Sequence, residues 1–321
     1  MPRRLLGQQF QLAGELKQAG CDVLFSPGGT LPLWCPIPMV TMSQNMLPFE
    51  PSEALRFGRW SGMRLKMWML RHTQGRSFRR ADGVIFLTRY AQQEVCRFLG
   101  GVKGRTALIP HGIENRFVQP PRLQQGVDRY SPEQPFHFLY VSVLMPYKHQ
   151  MEVALAISRL RSEGLPVAMR FVGADWGGCG REFLRLLQRL DPGGEYLDWV
   201  GGVPFDQLGG VYREADAFVF ASSCENLPNI MIEAMASGLP IASSNRGPMP
   251  EVLEGAGIYF DPEVPESIAE ALRKLIHNIE LRTQLAASAW QKGQSYSWVR
   301  CARETLEFIA KTAEAYPASA R

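Results

Sequence analysis

Two carboxylates in the stretch ASSCENLPNIMIEAMASGLPIASSN, residues 221–245, have a spacing that suits sugar chemistry. Glu225 and Glu233 stand eight positions apart in it. Between them, Asn226 and Pro228 predict a helix start, because Asn can cap a helix and Pro fits the first turn without an N–H partner. A carboxylate at a helix mouth can accept hydrogen bonds from sugar hydroxyls, and the free N–H groups of the helix can hold a phosphate. The stretch therefore suits a ligand in which a sugar is joined to a phosphate.

The residues around the two glutamates are more specific than their spacing, which alone favours an ordinary surface helix with two unrelated glutamates. SSCENLPNIMIEAMASGLPI resembles the nucleotide-sugar signature of the retaining glycosyltransferases of family 4, also called glycosyl transferases group 1. The resemblance covers nearly the whole chain and is specific from Phe138 to Pro262. It implies an α/β structure of the GT-B type, with two Rossmann-like domains whose parallel sheets face each other across a cleft.

The resemblance implies roles for a set of donor-binding residues. Glu225 contacts the donor sugar near the reacting carbon, and Glu233 binds the ribose hydroxyls of the nucleotide. Lys148 follows the apolar strand HFLYVSVLM and offsets the charge of the departing nucleotide diphosphate. Main-chain groups that hold the sugar, the phosphate or the base are expected at Asn226, Leu227, Pro228, Asn229, Gly202 and Val203. The family often has an arginine five positions before the lysine, where this chain has Val143, so one clamp on the diphosphate is absent.

Residues on the acceptor side are fewer. The loop at Gln44 and Asn45 matches a region in which many relatives carry a histidine, and this chain has none there. Removal of the acceptor proton then falls to the leaving phosphate, as the family's retaining mechanism implies. His111 is a candidate for pairing with the donor or the linker, and the alternative is a structural histidine. No Asp-x-Asp occurs, so we expect neither a metal nor another cofactor, and Lys148 with the helix dipole opposes the diphosphate charge.

Alternating strands and helices predict two domains with parallel sheets, whose ligands collect at the carboxyl ends of the strands. We predict a first domain over residues 1–118, a linker over 119–135, a second domain over 136–295 and a final helix over 296–316, which the family resemblance implies returns to the first domain. In the family the first domain opens with a strand and a glycine-rich turn, and neither is visible here. A misplaced start, a fragment and a shortened variant are the alternatives for this apparent truncation.

Composition excludes several classes of protein. With 321 residues, 45% of them hydrophobic, the chain can form two cores, and no run approaches the roughly 18 apolar residues of a membrane span. The polar start argues against a secretory signal. The six cysteines show neither a C-x-x-C pair nor histidines at ligand spacing, which argues against a disulfide framework and a structural zinc site. We expect a cytoplasmic protein.

Positive charge is concentrated in the first part of the chain. Residues 1–118 carry 16 Lys and Arg against seven Asp and Glu, and no acid lies between Glu53 and Asp82. Residues 56–80 therefore predict a cationic amphipathic helix that binds an anionic membrane on its cytoplasmic face or a lipid-linked pyrophosphate. The alternative is a solvated helix whose apolar stripe is core. That stripe is Trp60, Met63, Met67 and Leu70. Nucleic acid is not expected, because no recognition motif accompanies the charge.

Together these features predict a metal-independent, retaining hexosyltransferase. It would move a sugar from a UDP-, GDP- or ADP-sugar to a glycan or lipid-linked acceptor in cell-surface polysaccharide synthesis. Two alternatives stay open: a truncated GT-B protein that binds a nucleotide sugar or glycan without turnover, and a GT-B epimerase or phosphorylase. A glycosidase that uses Glu225 and Glu233 as acid and nucleophile is not expected, because the helix mouth serves the nucleotide.

Overall fold

The computed structural model describes residues 12–58, 61–176 and 178–316 and divides the chain into two compact units. The first unit consists of Met1–Gly112 and Trp298–Arg321, and the second consists of Ile113–Ser297. Each unit contains a parallel sheet with helices in the connections between its strands. The prediction of two parallel α/β sheets is confirmed.

In the described part of the first unit, four parallel strands form a sheet in chain order. They are β1 (Leu24–Ser26), β2 (Met39–Met42), β3 (Gly83–Phe86) and β4 (Arg105–Leu108). The helices are α1 (Leu12–Gln18), α2 (Pro51–Leu55), α3 (Gly62–Arg80) and α4 (Arg89–Leu99). Helix α4 shows why the bounds fall where they do. Thr88 Oγ1 accepts a 3.1 Å hydrogen bond from the Ala91 N–H at its start, and Gly100 ends it at a φ of 71°.

Helix α3 packs one side against the rest of the first unit and exposes the other. Met67 of the predicted apolar stripe is buried, so core packing holds for that residue, while Trp60 lies outside the described residues. A different apolar group is exposed on α3. Its members are Leu65, Trp68 and Met69, with exposed fractions of 59%, 56% and 48%. The outward-facing apolar residues of this helix are therefore not the ones that the sequence pattern selected.

The described part of the second unit contains six parallel strands in the order β10-β9-β8-β5-β6-β7. They are β5 (Phe136–Val141), β6 (Val167–Val172), β7 (Leu197–Trp199), β8 (Ala217–Phe220), β9 (Ile241–Ser244) and β10 (Ile258–Phe260). The helices are α5 (Gln150–Ser162), α6 (Gly180–Leu190), α7 (Leu208–Glu214), α8 (Asn229–Ala236), α9 (Met249–Leu253), α10 (Pro265–His277) and α11 (Ile279–Gly293). The chain leaves β5 toward one edge of the sheet and later returns to β8 on its other side, which makes β5 and β8 a topological switch point.

Residues 119–135 belong to the second unit and lie against its helices α8 and α11. The Gln119 N–H donates a 2.9 Å hydrogen bond to the Ala236 carbonyl at the end of α8. Arg282, which is fully buried in α11, donates to the Gln124 side chain at 3.2 Å and to the Gln125 carbonyl. These bonds fix the course of the segment along the second unit. The predicted domain bounds, with a linker here, stay predictions.

The last described helix, α12 (Trp298–Glu314), belongs to the first unit. It packs closely on the start of β3, because Gly83 has no side chain there: a Cβ atom on Gly83 would lie 2.9 Å from the Phe308 ring. Within the ranges that the structure describes, no helix has the length and apolar character needed to span a membrane.

Candidate functional site

The switch point brings the loop after β5 beside the loop after β8. Crevices of this kind, beyond the carboxyl ends of neighbouring strands, are the usual ligand sites of parallel α/β sheets. Lys148 ends a short 3-10 turn after β5, and Glu225 lies five residues after the end of β8. Lys148 Nζ contacts Glu225 Oε1 directly. The structure therefore joins the two residues that the sequence analysis assigned to the reacting end of the donor.

Hydrogen bonds between the two loops hold this pair in place. The Ser223 N–H donates a 2.9 Å bond to the Tyr147 carbonyl, and a 3.1 Å bond joins Ser223 Oγ to His149 Nε2. His149 has a φ of 53°, a left-handed conformation that is uncommon outside glycine. The buried Tyr140 hydroxyl also donates to the Lys148 carbonyl, at 2.5 Å. The main chain that carries Lys148 is thus fixed from two sides.

The Lys148 ammonium group is largely shielded from water, since the residue is only 6% exposed. It lies 5.3 Å from the ring centroid of Tyr147 and 5.5 Å from that of Phe220, distances at which aromatic faces attract cations. The Glu225 side chain is more exposed, at 16%. Two opposite charges that are shielded from water attract each other more strongly than a pair at the surface does. Loss of one partner is therefore costly, because the other charge stays partly buried without compensation.

Helix α8 begins at Asn229, and Pro228 occupies the cap position. The prediction that Asn226 caps this helix is wrong. The Pro228 carbonyl accepts the first helical hydrogen bonds, at 2.9 Å from the Met231 N–H and 3.1 Å from that of Ile232, so the helix starts later than expected. The predicted donor-binding backbone from Asn226 to Asn229 forms the turn between Glu225 and the helix. Its role stays a prediction.

Glu233 lies in α8, just over one turn from its start. Its Oε2 accepts a 2.8 Å hydrogen bond from the hydroxyl of Tyr212, which is fully buried in α7. Burial raises the pKa of Glu233 to about 7; the hydrogen bond from Tyr212 lowers it, and the nearby charge of Glu114 raises it further. Near neutral pH the carboxyl group therefore exists in both protonated and ionised forms.

The predicted base-side loop with Gly202 and Val203 follows β7 at the same carboxyl edge of the sheet. The Gly201 carbonyl accepts a 2.7 Å hydrogen bond from the Gly173 N–H. Gly173, which follows β6, is itself pressed against the loop after β5, since a Cβ atom there would lie 1.9 Å from the Ser142 carbonyl oxygen. These contacts connect the loop to the one that carries Lys148.

The three predicted acceptor-side residues belong to the first unit. Gln44 and Asn45 are exposed after β2, and Asn45 Oδ1 accepts a 3.1 Å hydrogen bond from the Leu47 N–H. The His111 ring stacks on the Trp298 ring, with centroids 5.3 Å apart. The Lys148–Glu225 pair and Glu233 all belong to the second unit.

Sequence reasoning missed Tyr212 and the bond between His149 and Ser223. Tyr212 lies in a short helix before β8, where a buried aromatic side chain is normally read as core. Only its hydroxyl contact with Glu233 distinguishes it.

Within residues 12–58, 61–176 and 178–316, no group of three or more His, Cys, Asp or Glu side chains could hold a metal ion.

Comparison with known families matches this architecture. A family model described as glycosyl transferases group 1 covers residues 127–292, which include the switch point and both glutamates. The chain belongs to this family. A second model, described as glycosyltransferase family 4, covers residues 1–116. The family resemblance that the sequence motifs carried is confirmed.

Individual members of the family differ in what they are named for. Spore coat protein SA of Bacillus subtilis is 26% identical over 71% of this chain. The GDP-mannose-dependent alpha-(1-6)-phosphatidylinositol monomannoside mannosyltransferase of Mycobacterium tuberculosis is 25% identical over 71% of this chain. This chain spans 64% and 61% of their respective lengths.

The crystal structure of HepE of Anabaena in complex with UDP-glucose resembles this protein with a TM-score of 0.75. The two are 18% identical, and the match covers 95% of this chain and 84% of HepE. At this identity the likeness concerns the fold. The predicted GT-B class is confirmed.

Proposed function

We propose that this protein is a glycosyltransferase that moves a sugar from a nucleotide-sugar donor to a glycan or lipid-linked acceptor. The observation that carries the proposal is the contact between Lys148 and Glu225 at the switch point of the second unit. A shielded cation beside a partly exposed carboxylate suits a donor that has an anionic diphosphate and a polar sugar. The remaining roles follow from the groups around this pair.

Lys148 changes partner when the donor binds. The diphosphate brings more negative charge than Glu225 does, so it draws the ammonium group toward itself and releases the carboxylate to the sugar hydroxyls. The negative charge on the diphosphate increases as the sugar–phosphate bond breaks, so the attraction of Lys148 is strongest in the transition state. Glu225 then faces the positive charge that develops on the sugar carbon.

Glu233 binds the ribose hydroxyls, and Tyr212 holds its carboxyl group at the required angle. The backbone from Asn226 to Asn229 and the N-terminal end of α8 hold sugar and phosphate oxygens. Gly202 and Val203 contact the base through main-chain groups. A main-chain contact of this kind leaves uracil, guanine and adenine as the bases to be tested.

The reaction retains the configuration of the donor sugar. The leaving phosphate removes the proton of the acceptor hydroxyl, and the acceptor attacks from the side that the phosphate leaves. Lys148 and the N-terminal end of α8 supply the positive charge, so the reaction requires no metal ion. Gln44, Asn45 and His111 of the first unit are the candidates for contact with the acceptor.

Two relatives support the donor and acceptor classes. HepE was crystallised with UDP-glucose, and the mycobacterial relative is named for GDP-mannose and for a phosphatidylinositol monomannoside. We infer a hexose carried on a nucleoside diphosphate and an acceptor that is a growing glycan or a glycolipid. The reaction belongs to cell-surface polysaccharide synthesis on the cytoplasmic side of the membrane.

A transfer assay with UDP-, GDP- and ADP-hexoses tests the proposal. We expect turnover with one donor class, an α-linked product from an α-linked donor by NMR, and unchanged rates in EDTA. Tight donor binding without transfer or hydrolysis on any glycan or glycolipid acceptor would instead favour the non-catalytic alternative, for which Val143 in place of the family arginine is the specific argument. A free epimerised sugar or a sugar phosphate as product would identify an epimerase or a phosphorylase.

We also propose that residues 56–80 contact an anionic membrane surface. Leu65, Trp68 and Met69 are exposed on α3, and no acid lies between Glu53 and Asp82. Apolar side chains of this kind can enter the interface while the neighbouring cations bind lipid headgroups. Replacing Leu65 and Trp68 by Ser should weaken sedimentation with phosphatidylglycerol vesicles.

The control replaces two apolar residues of the same unit that are even more exposed, Val299 and Leu306, by Ser. Equal vesicle binding by the unmodified protein and both double variants would show that the exposed side of α3 faces solvent only.

A further inference from the structure

A cleft of about 410 Å³ opens at the amino-terminal edge of the first sheet, opposite to the edge where parallel sheets normally bind ligands. β3 and β4 begin beside it, α3 ends at it, and the end of α12 forms another wall. Among the described residues that line it, Asp82 is the single acid. The basic residues are Arg79, Arg80, Lys103 and Arg105.

Backbone contacts bring these cations together. Gly104 lies so close to the turn before β3 that a Cβ atom would come within 2.2 Å of the Ala81 carbonyl oxygen, and the Arg105 N–H donates a 2.8 Å bond to the Asp82 carbonyl. Glycine at position 104 therefore lets the chain at the start of β4, which carries Lys103 and Arg105, lie in close contact with the end of α3. The four cations are placed around one cleft by the fold itself.

Among the described residues that line the cleft, the single acid does not balance the charge of the four cations. Asp82 Oδ2 accepts a 2.8 Å hydrogen bond from the Met39 N–H, and Arg79 donates to the Leu99 carbonyl at the end of α4. Within the ranges that the structure describes, none of the four basic side chains forms an ion pair. The carboxyl ends of α3, α4 and α12 contribute roughly half a negative charge each, which leaves the cleft positive even with Asp82 counted.

We propose that this cleft binds a phosphate group with more than one negative charge, such as a phosphomonoester or a diphosphate. Arg and Lys donate several charge-assisted hydrogen bonds to phosphate oxygens, and Tyr316, which also lines the cleft, has a hydroxyl group that can serve as a neutral donor. The site belongs to the first unit and uses none of the donor-binding residues of the second. Its ligand is either the headgroup of a lipid or a free phosphate compound.

Titration calorimetry with inorganic pyrophosphate tests the site. The parent protein carries Lys148→Met, which weakens the diphosphate site proposed on the second unit, and all variants are compared within this background so that the two proposals can fail separately. Lys103→Gln with Arg105→Gln should weaken pyrophosphate binding roughly tenfold, the order expected for losing two exposed cation–phosphate contacts. The matched control is Arg185→Gln with Arg189→Gln, which removes two exposed cations of α6 and the same net charge. It should bind within about twofold of the parent.

Vesicles of phosphatidylcholine with and without phosphatidic acid form the second arm. Loss of both pyrophosphate and phosphatidic acid binding in the Lys103/Arg105 variant assigns the site to a lipid headgroup, and loss of pyrophosphate binding alone assigns it to a soluble phosphate. Unchanged affinity for both probes, or an equal loss in the control, overturns the proposal. Thermal melting of each variant establishes that the proteins compared are folded.

Discussion

The Tyr212 hydroxyl donates a 2.8 Å hydrogen bond to Glu233 Oε2 and thereby joins α7 to α8, the helices on either side of β8 in the chain. The same hydroxyl lies 3.2 Å from the Ile230 carbonyl. Burial raises the pKa of Tyr212 well above its ordinary value, so the phenol is a neutral hydrogen-bond donor near neutral pH. It fixes the orientation of a carboxyl group that we assign to the ribose.

Tyr212→Phe should therefore raise the KM for the donor several-fold while kcat changes little, because the variant loses the orientation of Glu233 and keeps the reacting groups. The cost in folding should be about 1 kcal/mol, the value of one buried hydrogen bond. Tyr196→Phe is the matched control: its hydroxyl donates to the Leu190 carbonyl at 2.6 Å before β7, away from the switch point. An equal rise of KM in both variants would contradict a positioning role for Tyr212.

The raised pKa of Glu233 predicts a pH-dependent stability. The folded protein keeps the proton up to about pH 7, whereas the unfolded chain loses it near the ordinary value of 4.5. The folded state therefore binds more protons between these values, and the contribution of this group to stability, complete below about pH 4.5, is lost as the pH rises through about 7. Urea unfolding of the protein and of Glu233→Gln should diverge over this range by up to about 3 kcal/mol. Parallel pH profiles would show that Glu233 ionises normally.

Lys148 and Glu225 should show strong energetic coupling. Lys148→Ala leaves the Glu225 carboxylate partly buried without its cation, so both stability and turnover should fall, with turnover lower by roughly 100-fold or more. Adding Glu225→Gln should restore most of the stability, because the uncompensated charge disappears, but none of the activity. Thermal melts and donor hydrolysis rates across the double-mutant cycle measure both effects. Additive stability losses would mean that the two side chains do not act as a pair.

Arg282 should be among the most sensitive positions for folding. It is fully buried, its guanidinium donates to the Leu275 and Ile276 carbonyls at 2.5 Å, and it lies 5.3 Å from the centroid of the Phe136 ring. Arg282→Met keeps much of the volume but leaves buried carbonyl groups without a donor, so the free energy of unfolding should fall by about 3 kcal/mol.

The exposed Arg185→Met serves as the control for Arg282→Met and should change stability by less than about 0.5 kcal/mol. Equal melting temperatures for the two variants would contradict the structural role of Arg282.

Much of the second unit could be predicted from the sequence because its signals are local. Apolar runs such as HFLYVSVLM and ADAFVFAS form buried strands, and the helix signals between them place the loops after β5 and β8 at one edge. The predicted start of α8 is wrong. Asn226 is of a residue type that often caps helices, but the Pro228 carbonyl accepts the first helical hydrogen bonds. The first residue of a helix depends on which of several neighbouring carbonyl groups accepts the first helical hydrogen bonds. Packing affects this choice as much as residue type does.

The sequence pattern also did not determine which side of α3 faces outward. Its composition predicted a basic amphipathic helix, yet the rotation that buries Met67 and exposes Trp68 depends on the sheet beneath it.

The sequence by itself determined the family, the alternation of strands and helices, and the residue types of the proposed donor site, because these depend on patterns within short stretches. Only the tertiary structure decided that Lys148 pairs with Glu225, that Tyr212 orients Glu233, and that four cations surround one cleft of the first unit. Each of these relationships joins residues from different elements. Their distance in space is set by strand order and close packing of main chains, which no local pattern encodes.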